Sequence, residues 1–143
     1  MRSRVSHWLL PALILAGALA AGESAAELIS RSYLFKEGVT LRIGERTPDG
    51  IRLDDVRFGT RRLARSPIDV MLARVSVSNE SDLPIDVGVA VALLDEQDRL
   101  VGVASGGPLN VRPEKSRVFN LTFEGVGRAA SRAATFRISV ESP

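Results

Sequence analysis

Apolar residues take alternate positions along most of the chain, the period-two pattern of strands that bury one face. The clearest run starts at Ile85, where Ile85, Val87, Val89, Val91 and Leu93 alternate with Asp86, Gly88, Ala90 and Ala92. The polar cluster Asp95-Glu96-Gln97-Asp98-Arg99 ends this run, and Leu100-Val101-Gly102-Val103-Ala104 opens a second apolar one. Residues 85–106 therefore predict a β-hairpin, with Gly106-Gly107-Pro108 expected to end the returning strand.

A similar pattern surrounds this hairpin. Val39, Leu41 and Ile43 alternate with Thr40 and Arg42, and Thr47-Pro48-Asp49-Gly50 follows as a turn. Proline presets φ for the first corner and glycine accepts the positive φ that closes it. On the return, Ile51 and Leu53 hold odd positions but Val56 and Phe58 even ones, and this change of phase at Asp54-Asp55 predicts a β-bulge. Ser66-Pro67 interrupts the chain before a strand carrying Met71, Ala73, Val75 and Val77. Phe119, Leu121 and Phe123 mark another strand after the Pro113-Glu114-Lys115 turn, and Phe136, Ile138 and Val140 mark the last. Residues 125–134 are small and polar and read as a loop with short helical character.

Short strands separated by turns, with no long amphipathic helix, predict an all-β fold: an antiparallel β-sandwich of about seven strands over residues 37–143. A closed barrel is the competing arrangement. The expected inward set is Val75, Val77, Val87, Val89, Val91, Leu93, Phe119, Leu121, Phe123, Phe136, Ile138 and Val140. Residues 21–36 are expected to form a flexible N-terminal segment, entering the sheet near Tyr33.

The first 20 residues have the three parts of a secretory signal. Arg2 and Arg4 supply the positive end, Trp8–Ala16 the apolar region, and Ala18-Leu19-Ala20 the small-residue cleavage site. The apolar run falls short of the roughly 20 residues that span a bilayer and contains Pro11. The reading is therefore a signal peptide over residues 1–20, a periplasmic or secreted location, and no integral membrane span after cleavage. Cleavage also changes the charge balance. Losing Arg2 and Arg4 from 19 basic residues leaves 17, against 17 acidic ones. A neutral chain has no general electrostatic case for binding nucleic acid.

From Arg74 onward the residues resemble a family pattern. Val75-Ser76-Val77-Ser78-Asn79-Glu80-Ser81 leads into Ile85–Val91, followed by Leu93-Leu94-Asp95, Leu100-Val101-Gly102, Pro113 and Phe119. This is similar to the FxLYD-type domains of bacterial exported proteins and, more loosely, to the water-stress (late-embryogenesis-abundant) β-sandwiches. Both share a V-x-V-x-N-x-S strand, an alternating strand ending in Asp, a hairpin, and a proline turn. Leu93-Leu94 stands where the family has an aromatic pair, and Glu114 follows Pro113 where glycine is usual. The resemblance implies a small immunoglobulin-like module with no catalytic residues to carry over.

Composition narrows the chemistry. Cysteine is absent, and the single histidine (His7) and single tryptophan (Trp8) lie in the signal. After cleavage no Ser-His-Asp or Cys-His site is available, and no His- or Cys-based metal site. Ser116 beside Lys115 does not make a Ser-Lys pair, because neighbours on a strand face opposite ways. Asp95, Glu96 and Asp98 at the hairpin tip are oxygen donors suited to a hard cation such as Ca²⁺, but lack the spacing of a calcium loop. Asn79-Glu80-Ser81 and Asn120-Leu121-Thr122 match the glycosylation sequon. One charged cluster stands out: Arg57, Arg61, Arg62 and Arg65, a candidate docking patch for an acidic partner or a phosphate-bearing polymer.

The sequence thus predicts a non-enzymatic exported β-sandwich without catalytic residues, cofactor or metal. Its expected role is interaction with another envelope or secreted protein or a cell-envelope component. The alternative is a module that binds Ca²⁺ or a small ligand through its acidic hairpin loops.

Overall fold

The computed structural model describes residues 27–62, 64 and 69–142. The signal read at 1–20, the Ser66-Pro67 break and Arg65 lie outside the described residues. The strands are β1 (Glu27–Leu34), β2 (Thr40–Arg46), β3 (Ile51–Arg62), β4 (Asp69–Asn79), β5 (Ile85–Leu94), β6 (Leu100–Val111), β7 (Ser116–Phe123) and β8 (Thr135–Ser142). A short 3₁₀ segment, Gly127–Arg132, occupies the expected loop before β8.

Two antiparallel four-stranded sheets form a sandwich: a front sheet in the order β1-β8-β5-β6 and a back sheet in the order β2-β3-β4-β7. The chain therefore folds as the predicted all-β sandwich. All twelve residues assigned inward are no more than 3% exposed. Strict alternation explains this result, because a one-residue slip would turn the whole apolar set to water. Ile51, Leu53, Val56, Phe58, Met71 and Ala73 complete the back sheet's share of the core.

The first hairpin forms as the turn chemistry requires. Gly50 adopts φ +100°, the Gly50 amide donates to the Thr47 carbonyl at 3.1 Å, and Thr47 and Ile51 pair at 2.8 Å. The expected bulge is present: between the Leu53–Val77 and Asp55–Ser76 pairs, Asp54 has no opposite residue on β4. That extra residue carries the buried set from odd positions to even ones.

Two segments differ from the sequence expectation. Residues 27–34, expected as part of a flexible start, form β1 along β8, with Ile29 opposite Val140 and Tyr33 opposite Phe136. Ile29 is buried and the Tyr33 ring stacks on Phe136 at 5.4 Å. Arg31 stands between these two anchors, and its charge hides their alternation in the sequence. It lies 3.9 Å from Glu45 of β2, across the open side of the sandwich. The second difference is at Gly106-Gly107-Pro108, which does not end the strand. Gly107 and Pro108 bulge opposite Gly88, and pairing resumes at Val87–Leu109, Asp86–Asn110 and Ile85–Val111. Gly107 has φ +99°, and a Cβ there would sit 2.5 Å from the Val87 carbonyl oxygen, so the bulge requires glycine.

Asn79 closes one end of the sandwich. Its side-chain amide donates to the carbonyls of Leu83 at 2.6 Å and Val111 at 2.8 Å. Its Oδ1 accepts from the Ser81 amide and hydroxyl at 2.8 and 2.7 Å. Its backbone pairs with Glu114 and Lys115, so one buried residue joins β4, the β4–β5 turn, the end of β6 and the β6–β7 turn.

Candidate functional site

Because Val56 and Phe58 face the core, Arg57, Gly59 and Arg61 share the outer face of the back sheet. The same reasoning on β4 places Arg74 there, between buried Ala73 and Val75. Register then sets the neighbours: Thr40, Arg57, Arg74 and Asn120 stand side by side across β2, β3, β4 and β7. Arg57 is directly opposite Arg74, a position in which side chains leave the sheet about 5 Å apart at Cβ. All four residues of this row are exposed.

The cluster seen in the sequence is thereby divided. Arg57 and Arg61 belong to one face. Arg62 pairs with Asp69 and takes the opposite phase, and Arg65 lies outside the described residues. Arg74 was missed because it sits alone among apolar and serine positions. Its only signal was its place in the alternation, and its partner across the sheet depends on the bulge at Asp54.

Charge on this face falls into two regions. At the Asp54 end, Arg46 Nε donates to Glu80 Oε2 at 2.6 Å and Arg52 Nη1 to Glu80 Oε1 at 2.6 Å. Arg52 Nε reaches Asp54 Oδ1 at 2.6 Å, and Ser78 Oγ donates to the other Asp54 oxygen. The hydrogen bond from Arg46 holds the Glu80 carboxyl below the usual carboxylate range. This end neutralises itself. It rims an open depression of about 700 Å³ whose floor includes Gly44, Ser76 and Val118.

The other end is different. Among the described residues no carboxylate lies within ion-pair distance of Arg57, Arg61 or Arg74. The neighbouring acids by register are Asp55, which accepts from Ser76 Oγ at 3.1 Å, Glu37, which bridges to Phe58 beside Arg57, and Glu124, one residue past the Phe123–Met71 pair. Gly59 lies between Arg57 and Arg61, and a Cβ built there would meet nothing within 4 Å, so the floor between the two arginines is open. Like charges placed directly opposite each other repel, and such an arrangement is relieved by an anion from outside.

The acidic hairpin tip works as a turn. Asp95 is 7% exposed, and its Oδ1 accepts from the amides of Gln97 at 2.9 Å and Arg99 at 3.0 Å. Its Oδ2 accepts from Arg99 Nε at 2.8 Å. The Arg99 amide, and then the Gln97 amide and the Arg99 guanidinium, hold its carboxyl below the usual range. Asp98 takes φ +57°, which closes the reversal. The group best placed to ligate a cation is thus committed to the loop that carries it. No group of three or more His, Cys, Asp or Glu side chains arranged to hold a metal ion occurs among the described residues.

The outer face of the front sheet is nearly uncharged at its centre. Gly88, Ala90, Ser105, Gly107 and Ser139 surround a shallow depression of about 370 Å³, with Glu141 at its margin. No helix among the described residues is long and apolar enough to cross a membrane. Compared with known proteins, the chain matches no protein-family model, and a search of curated proteins finds no match either.

Proposed function

We propose that this chain is an exported, non-catalytic binding module of the immunoglobulin-like, FxLYD type. Its working surface is the arginine end of the back sheet, and its partner is a negatively charged protein or polymer of the cell envelope. The observation that carries this reading is the register of Arg57 against Arg74, with Arg61 beyond an open glycine and, among the described residues, no carboxylate within ion-pair distance of the three. A folding requirement does not account for these residues: all three are exposed and sit on the face away from the core. The N-terminal signal pattern supports export, and the residues left after its cleavage, without histidine or cysteine, suit binding better than proton or acyl transfer.

Retention of the full-length protein on the envelope fraction of its source cells tests the reading. The Arg57→Glu/Arg74→Glu variant is expected to lose most of that retention while its melting temperature stays within a degree or two of the parent, as is usual for exposed sites (about ±0.5 kcal/mol). Equal retention of parent and variant would reject this surface. No retention of the parent would reject the envelope partner.

A further inference from the structure

Resting on that reading of the surface, we infer that the Arg57–Arg74 pair is a phosphate clamp and that its ligand is a phosphate-bearing polymer lying along β3 and β4. Three features of the face select this chemistry over other anions.

The first is the pairing itself. A carboxylate brings one charge and two oxygens, and where it serves two guanidiniums, as Glu80 does with Arg46 and Arg52, it divides that single charge between them. A monoester phosphate brings about −1.5 to −2 charge and three acceptor oxygens set tetrahedrally, so it can fill one guanidinium fork and still offer an oxygen and charge to a second. Two arginines side by side at about 5 Å match that charge and oxygen count more fully than they match a lone carboxylate. Thr40 and Asn120 flank the pair in the same row and add neutral hydrogen-bond donors.

The second is spacing along the strand. Arg61 lies four residues beyond Arg57, about 13 Å at roughly 3.3 Å per residue. A single phosphate cannot reach both ends, whereas successive groups of a polymer can. Gly59 leaves the path between them clear.

The third is what the face lacks. Thr40, Arg42, Asp55, Val70, Leu72 and Asn120 surround the arginines, and none has a ring on which a base would stack. Single-stranded nucleic acid is usually held through such stacking. The ion-paired cluster of Arg46, Arg52, Asp54 and Glu80 bounds the track at one end, so the ligand path runs from Arg42 toward Arg61.

Titration of the full-length protein with inorganic polyphosphate, at about 0.1 M salt to suppress weak surface attraction, tests the inference. Poly-glutamate of matched charge and a single-stranded oligonucleotide are the comparison ligands. Polyphosphate is expected to bind at least about tenfold more tightly than either. Arg57→Ala and Arg74→Ala are each expected to weaken it by about tenfold or more, the scale of a lost charge-assisted hydrogen bond. Arg57→Lys, which keeps charge but loses the planar fork, is expected to weaken it at least about threefold. Arg62→Ala, on the other face, is expected to change nothing. Equal affinity for poly-glutamate or the oligonucleotide would overturn the phosphate assignment, as would undiminished binding by the Arg57→Ala/Arg74→Ala variant or no binding of polyphosphate. If polyphosphate fails to bind while Arg57→Glu/Arg74→Glu still abolishes envelope retention, the surface stands and only its ligand class falls.

Discussion

Asn79 shows how much a single residue can hold and how little of that its sequence context reveals. The V-x-V-x-N-x-S pattern marks it, and alternation alone would place it inward after Val75 and Val77. Its purpose emerges only in three dimensions: both amide hydrogens and the side-chain carbonyl are spent on four groups from two segments, the β4–β5 turn and the end of β6. Replacing it with alanine leaves the Val111 carbonyl and the Ser81 amide short of a partner, and the Leu83 carbonyl with Ser81 Oγ alone, around a site that is 1% exposed. Each unsatisfied buried group costs about 1–3 kcal/mol, and part of that is recovered where water enters. Asn79→Ala is therefore expected to lower stability by about 2–4 kcal/mol, read as a shifted urea midpoint with an unchanged slope. Asn79→Asp is expected to do nearly as much damage, because it keeps the acceptor for Ser81 but loses both donors. A loss below about 1 kcal/mol for the alanine variant would mean that the four contacts are not a closing device. The same burial bears on the two sequons: Asn79 is enclosed in the folded chain, whereas Asn120 is exposed in the arginine row.

At the scale of the element, the β5–β6 hairpin separates what periodicity can predict from what it cannot. On β5 the large residues alternate with small ones, so its inward face is plain from the sequence. On β6 the inward positions before the bulge are Gly102, Ala104 and Gly106, too small to mark a buried face, and the strand's continuation past Pro108 to buried Val111 is correspondingly hidden. The reason for small residues there is what packs across from them: a Cβ at Gly106 would lie 2.8 Å from Leu121 Cδ2 of the opposite sheet, and one at Gly102 2.3 Å from Cγ2 of Val126, just before the 3₁₀ segment. Phe119, Leu121 and Phe123 of β7 fill the space that β6 leaves. Gly106→Val is thus expected to destabilise by about 1–3 kcal/mol through overpacking, despite valine's preference for strands. Gly88→Val, on the outer face of β5 where a Cβ meets nothing within 4 Å, is expected to be neutral or slightly stabilising. Thermal melts of the two variants check the contrast, and equal effects would contradict the assignment of faces. The arginine site has the same history. Arg57 and Arg61 were legible as a charge cluster, but the placement of Arg57 opposite Arg74 depends on register across two strands, which no local pattern encodes.

For the whole molecule, the absence of cysteine puts the burden of stability on a core shared by the two sheets. Its centre is Phe58 of the back sheet, whose ring lies 4.8 Å edge-on from Phe136 of the front sheet. Phe35 at 4.9 Å and Phe123 at 6.4 Å extend the cluster, and Tyr33 continues it through Phe136. Aromatic pairs at such separations add about 0.5–1.5 kcal/mol each beyond their buried area. With one layer of side chains serving both sheets, neither can lose its partner and keep its apolar face dry. The sandwich is therefore expected to unfold in a single step. Phe58→Ala sharpens that expectation. Removing a buried phenyl ring costs about 3–5 kcal/mol, a large share of the roughly 5–15 kcal/mol that holds a domain of ordinary size. Amide hydrogen exchange across a urea series distinguishes the alternatives. Amides of β5 and β8 in the front sheet and of β3 and β4 in the back sheet should lose protection at one common midpoint, shifted downward together in the variant. If the back sheet opened at lower urea while β5 and β8 stayed protected, the two sheets would be separate cooperative units, and the arginine face could be remodelled without unfolding the rest. A common midpoint instead makes the register of Arg57 against Arg74 as durable as the fold itself, so that the spacing of the two charges is preset before any anion arrives.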